Sequence, residues 1–110
     1  MSVIEVWYFA DCPNHEGLVP HLRALLDSVG VDEPIHERVV ETDEEARTHR
    51  FLGSPTLRID GVDVDPTAAQ RTGYGLQCRL YQAEDGLRGT PPDTWILAAL
   101  QQPGRGSAAG

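Results

Sequence analysis

Apolar and polar positions divide the chain into short segments of contrasting period. Val3 to Phe9 (VIEVWYF) is a nearly unbroken β-branched and aromatic run with one charge, the pattern of a central strand covered on both faces. After the break Ala10-Asp11-Cys12-Pro13-Asn14, apolar residues return at Leu18, Leu22, Leu25, Leu26 and Val29. Spacings of three and four put them on one helical face, and Gly30 supplies a left-handed stop. Ile35 to Val40 (IHERVV) reads as a second strand. Thr42, with Glu45 three residues later, forms a capping box that opens a short helix to about His49.

Beyond Gly53-Ser54-Pro55, the run Thr56-Leu57-Arg58-Ile59 alternates with period two, and Asp60-Gly61 separates it from Val62-Asp63-Val64. An Asp-Gly pair between alternating runs predicts a hairpin. From Pro66 to Gly89 the pattern weakens, because Gly73, Gly75, Gly86 and Gly89 interrupt any period. Only Leu76 to Tyr81, which contains Cys78, reads as a short strand or ordered loop. Thr90 is then expected to cap a closing helix with Pro91 in its first turn and Trp95, Ile96, Ala99 and Leu100 on its apolar face. The run from Gln101 to Gly110 is small and polar, the composition of a disordered tail.

The predicted fold is therefore α/β, in the order β-α-β-α-β-β-α, with a mixed central sheet and an inserted segment before the last helix. A right-handed crossover makes the first two strands parallel, and the Asp60-Gly61 hairpin adds an antiparallel edge. A chain of 110 residues fits one core, so residues 1–100 form the expected domain and 101–110 the tail. The net charge of −8 repels a phosphate backbone, which argues against nucleic-acid binding. No stretch approaches the roughly 20 apolar residues of a membrane span, and no basic-then-apolar leader is visible. A cytoplasmic location is the expectation. Thiols stay reduced there, so Cys12 and Cys78 read as reactive or metal-binding in preference to a structural staple.

Cys12 falls where a strand ends and a helix begins. Backbone N–H groups and the positive end of the helix dipole favour a thiolate at such a place, and the neighbouring Asp11 opposes it. The ordinary alternative is a buried cysteine acting as a small hydrophobe. Cys78 divides in the same way between a packing role and a redox or metal role. Arg71 and Arg79 lie in the inserted segment with nothing to fix their direction. Trp7 and Trp95 are expected in the core, His21, His36 and His49 at the surface, and Asp43-Glu44-Glu45 at a solvated helix start.

In these features the chain resembles the thioredoxin superfamily over residues 3–65 and, more loosely, the closing helix. Trp7-Tyr8-Phe9-Ala10-Asp11-Cys12-Pro13-Asn14-His15 corresponds to the family's strand, aromatic approach and Cys-x-x-Cys helix start, with His15 replacing the second cysteine. Pro20 matches the helix-kinking proline. Gly53-Ser54-Pro55-Thr56 matches the loop whose cis-proline faces the active cysteine. The resemblance implies a catalytic Cys12, a role for His15, and a substrate groove at Ser54, Pro55 and Thr56. It also implies a monothiol site, unless Cys78 folds back as a resolving thiol, which requires Cα atoms within about 7 Å. Short thioredoxin-like chains reading Cys-Pro-Asn-His are also similar to sequences sometimes labelled alkylmercury lyase.

Three functions compete. The first is a thiol-redox protein, a possible thiol-disulfide oxidoreductase, in which Cys12 attacks a protein or small-molecule disulfide and Cys78 resolves it. The second is a non-catalytic adaptor, since a fold alone does not imply activity. The third is a thiol site for mercury or copper(I), built from the two cysteines with His15 or Asp11, because thiolates select soft metals. No resident metal or cofactor is expected.

Overall fold

The computed structural model describes residues 3–10, 12, 14–83 and 86–101. Its first strand, β1 (Ile4–Tyr8), leads into α1 (Asn14–Ser28), β2 (Ile35–Val39), α2 (Asp43–Thr48), and the β3 (Thr56–Ile59) and β4 (Val62–Asp63) hairpin. A short 3-10 turn, Ala68–Gln70, is followed by β5 (Tyr81–Ala83), β6 (Gly86–Arg88) and α3 (Asp93–Gln101). The main sheet is four-stranded and mixed, in the order β2-β1-β3-β4. β1 pairs in parallel with β2 and antiparallel with β3, so it is the central strand the sequence predicts.

The period-two pattern of β1 sorts its side chains to two faces. Ile4 and Val6 are buried with Leu18, Leu22 and Leu26 of α1, Leu57 and Ile59 of β3, and Ile96 and Ala99 of α3. Trp7 turns the other way and joins Phe9 against a smaller cluster of Val40, Ala46 and Phe51 around α2. Helices thus cover both faces, but unequally. With only the six residues of α2 on the second face, Glu5 and Trp7 stay half-buried.

Local signals account for the element ends. Gly30 (φ 77°) closes α1. The Thr42 hydroxyl accepts the Glu45 N–H at 3.1 Å, while the Glu45 carboxylate accepts the Glu41 N–H at 2.9 Å, one residue before the expected box partner. Asp60 (φ 55°) and Gly61 (φ 81°) turn the β3–β4 hairpin in the left-handed region that its two-residue loop requires.

Three expectations need correction. The closing helix starts at Asp93, not with Thr90 as cap and Pro91 in the first turn. Pro92 disfavours helical backbone at Pro91, and the Pro92 carbonyl becomes the first acceptor, for Trp95 N–H at 3.1 Å and Ile96 N–H at 3.4 Å. Helix α3 also runs through Gln101, one residue into the expected tail, and residues 102–110 lie outside the described residues. Finally, the weakly patterned insertion contains a second, two-stranded antiparallel sheet, β5–β6. No helix among the described residues is long and apolar enough to cross a membrane.

Candidate functional site

The register of the sheet gathers the residues singled out by sequence at one end. Trp7 pairs with Thr56 across β1 and β3, so Ser54 and Pro55 continue past the sheet at the end where β1 runs out to Phe9. Cys12 is held there by its N–H on the Phe9 carbonyl at 3.0 Å, two positions before the first residue of α1. The Ser54–Pro55 peptide bond is cis. Asp11 and Pro13 lie outside the described residues, as does the side chain of His15, whose backbone belongs to the first turn of α1.

The inserted segment brings Cys78 to the same place. Ser54 and Cys78 form a parallel bridge, in which the Ser54 N–H donates to the Gln77 carbonyl (2.8 Å) and the Arg79 N–H donates to the Ser54 carbonyl (3.0 Å). Extended backbone alternates its side chains, so Arg79 and Tyr81 point inward and are buried while Cys78 and Leu80 face solvent. Neither cysteine is in a disulfide. Their exposures differ: Cys12, the expected attacker, is 1% exposed, and Cys78, the expected resolving thiol, is open to solvent.

Beneath this segment lies a network that sequence reasoning missed. The Arg79 side chain is fully buried. It donates to Asp63 Oδ2 at 2.7 Å, Asp63 Oδ1 at 3.1 Å, Asp65 Oδ2 at 3.3 Å and Thr56 Oγ1 at 2.9 Å. Its guanidinium carbon also lies 4.5 Å from the centroid of the Tyr81 ring. The Tyr81 hydroxyl donates to the Pro55 carbonyl, and the Thr56 hydroxyl donates to the Gly53 carbonyl at 2.6 Å. Arg79 therefore ties the loop before β3, the start of β3 and the end of β4 to the extended segment that carries Cys78.

Burial by itself would lower the Arg79 pKa, but Tyr81, Asp63 and Asp65 outweigh it and hold the guanidinium above its ordinary value. Burial pushes the Asp65 carboxyl up. Hydrogen bonds from Thr67 and the charge of Arg79 more than offset that push and hold Asp65 below the ordinary carboxylate range. Burial drives the Tyr81 phenol far above its usual value. The only sequence signals for these features were the i, i+2 spacing of Asp63 and Asp65, and a second Asp-Gly pair, Asp85-Gly86, of the kind that marks the first hairpin.

The expected groove residues are interior. Ser54, Pro55 and Thr56 are all buried, and both backbone polar groups of Ser54 are taken by the Cys78 segment. The Ser54 hydroxyl is buried without a hydrogen-bond partner among the described residues. Gly53 is required where the two segments cross: its φ is 132°, and a Cβ there would lie 3.0 Å from the Arg79 Cβ and 3.0 Å from the Gln77 carbonyl oxygen. Trp7 and Trp95 are half-buried instead of sealed in the core. Trp7 packs against the His49 ring at 5.0 Å, and Trp95 meets Tyr81 edge-on at 6.2 Å. His21 bonds Asp93 at 2.7 Å between α1 and α3. Among the described residues no three His, Cys, Asp or Glu side chains form a metal-binding group.

No family model, curated protein or solved structure matches the chain.

Proposed function

We propose that the chain is a thioredoxin-like thiol-redox protein of a reducing, cytoplasmic compartment, acting through Cys12 and Cys78 on a protein or small-molecule disulfide. The observation that carries this reading is the Ser54–Cys78 bridge, which supplies a second thiol to the end of the sheet where Cys12 precedes α1. The strand order β2-β1-β3-β4 and the cis bond at Pro55 support it. Exposure sets the order of events. The Cys78 thiolate attacks one sulfur of a substrate disulfide, forming a mixed disulfide and releasing the other half as a thiolate that takes a proton from water. The Cys12 thiolate then attacks the Cys78 sulfur, displacing the second half and leaving a Cys12–Cys78 disulfide, so two electrons pass to the substrate. An external dithiol returns the pair to its reduced form. This order exchanges the roles that the resemblance assigned to the two cysteines.

Oxidation by glutathione disulfide, followed by peptide mass spectrometry, tests the reading. The expected product is an internal Cys12–Cys78 disulfide, with the mixed disulfide trapped on Cys78 in the Cys12→Ser variant. Separate glutathione adducts on the two cysteines, with no internal disulfide at any redox poise, would remove the redox pair.

The burial of Cys12 and the occupied backbone of Ser54 favour a second reading, a non-catalytic adaptor. An adaptor keeps its partner when both cysteines are replaced by serine, whereas the redox protein loses its turnover.

A further inference from the structure

A cleft of about 780 Å³ runs along the outer side of β4, between the end of α2, the segment after β4 and α3. Neither cysteine nor Pro55 lines it, so it is separate from the thiol pair. Its size suits a small ligand. Trp95 and Ala98 of α3 offer an apolar wall, while His49, Arg50, Arg58 and Tyr74 supply polar groups.

The charges around it do not balance. On one side Asp63 and Asp65 are matched by Arg79 and by Arg71, which reaches Asp65 at 3.2 Å. Arg58 stands opposite Asp63 in the β3–β4 register, but both Asp63 oxygens accept from Arg79, and Arg50 has no ion-pair partner among the described residues. Glu5 stands opposite Arg58 in the β1–β3 register, yet it bonds Arg38 at 3.2 Å. Asp60 is turned to the Val3 N–H at 2.7 Å. Among the described residues neither Arg50 nor Arg58 forms an ion pair. Arg58 donates through Nη2 to the His49 and Arg50 carbonyls, and its guanidinium carbon lies 4.8 Å from the centroid of the Trp7 ring. Burial lowers the Arg58 pKa, and Asp63 and Glu5 offset only part of that effect. A protein with a net charge of −8 thus keeps two unpaired cations beside an apolar wall.

We infer that this cleft is a binding site for a small amphipathic monoanion, an aromatic or aliphatic body bearing one carboxylate. The carboxylate meets Arg58 and Arg50, and the hydrocarbon lies against Trp95 and Ala98. Asp63 and Asp65, next to Arg58 and already paired with Arg79 and Arg71, offer nothing to a second negative group and disfavour polyanions.

The probe is 2-naphthoate, with neutral 2-naphthalenemethanol as its comparison, followed by calorimetry and by amide chemical shifts of the full chain. Naphthoate is expected to shift resonances around Arg58, Tyr74 and Ala98 and to bind more tightly than the alcohol. Arg58→Gln should weaken naphthoate about tenfold, the lower end for a hydrogen bond to a charged group, and leave the alcohol unchanged. Arg58 also holds the end of α2, so two variants at exposed side chains keep the test decisive if that variant unfolds. Arg50→Gln should weaken naphthoate selectively, and Ala98→Phe should exclude both compounds by filling the cleft. Equal affinity for the two compounds, unchanged naphthoate binding by Ala98→Phe, or no shifts at the lining residues at millimolar naphthoate would overturn the assignment.

Discussion

Replacing Arg79 by methionine removes the cation and leaves its partners in place. The side-chain exposure of Asp63 is 12% and of Asp65 is 4%, so neither carboxylate can turn to water; Arg71 still reaches Asp65, while Asp63 loses its bonded cation. Breaking a buried pair from one side costs about 3–5 kcal/mol, because the remaining charge is uncompensated. Against a total of about 5–15 kcal/mol for a domain, that is a large share of the stability. With a urea slope of about 1–3 kcal/mol per molar, the midpoint should fall by roughly 2 M. The deficit should also depend on pH. In the parent protein Asp65 is held below the ordinary carboxylate range, so its contribution is present above the unfolded carboxyl pKa and fades only as pH falls through the lower folded value. In the Arg79→Met variant Asp65 loses the charge that helps hold its pKa down and takes up a proton more readily, so the gap between the two proteins should narrow from pH 7 toward pH 4. Adding Asp63→Asn and Asp65→Asn keeps the oxygens that accept the Asp65 and Thr67 N–H groups while removing the charges, and should restore part of the loss. A midpoint change under 0.3 M, or no recovery in the triple variant, would refute the argument that paired charge holds this region together. Hydrogen exchange supplies a local readout, since amides from Cys78 to Ala83 should lose protection first.

Gly53→Ala combines a left-handed φ with Cβ contacts of 3.0 Å to Arg79 and Gln77. It should destabilise the fold by about 1–3 kcal/mol, seen as a lower thermal midpoint; an unchanged midpoint would mean that the two segments do not cross so closely. Iodoacetamide should label the exposed Cys78 well before the buried Cys12 under native conditions, and both at similar rates in guanidinium. Equal native rates would contradict the placement of Cys12. The raised pKa of Tyr81 keeps its phenol protonated in the folded chain while the unfolded chain ionises above about pH 10. The stability it contributes is complete below that pH and should decline as pH rises beyond it, and Tyr81→Phe should remove that slope from urea titrations. Thr42→Ala deletes the acceptor for the Glu45 N–H and should cost about 1 kcal/mol, measured by urea unfolding.

The local elements were legible because each rests on contacts a few residues apart. The VIEVWYF run, the leucine spacing of α1, the Thr42 and Glu45 cap and the Asp60-Gly61 turn each carry their geometry in neighbouring side chains. The sequence also brought Cys12 to the junction of β1 and α1. Chain order alone located Gly53 to Thr56 beside β3, but not their burial or their partners. Where the signals are long-range, sequence was silent or misleading. Arg79 meets carboxylates 14 and 16 positions away. Nothing local distinguishes that buried cation from a solvated one, because burial is decided by which strands come to surround it. The same holds for the cysteines. Their exposures are 1% for Cys12 and open for Cys78, and the place of Cys78 is set by a bridge to Ser54 that no period in the intervening residues announces. The sequence by itself determined β1 to β4, α1 and α2, and the residues able to do thiol chemistry. Only tertiary packing decided which thiol meets solvent, which cation is sealed inside and where the open cleft lies, because each depends on surfaces that exist only when distant segments meet.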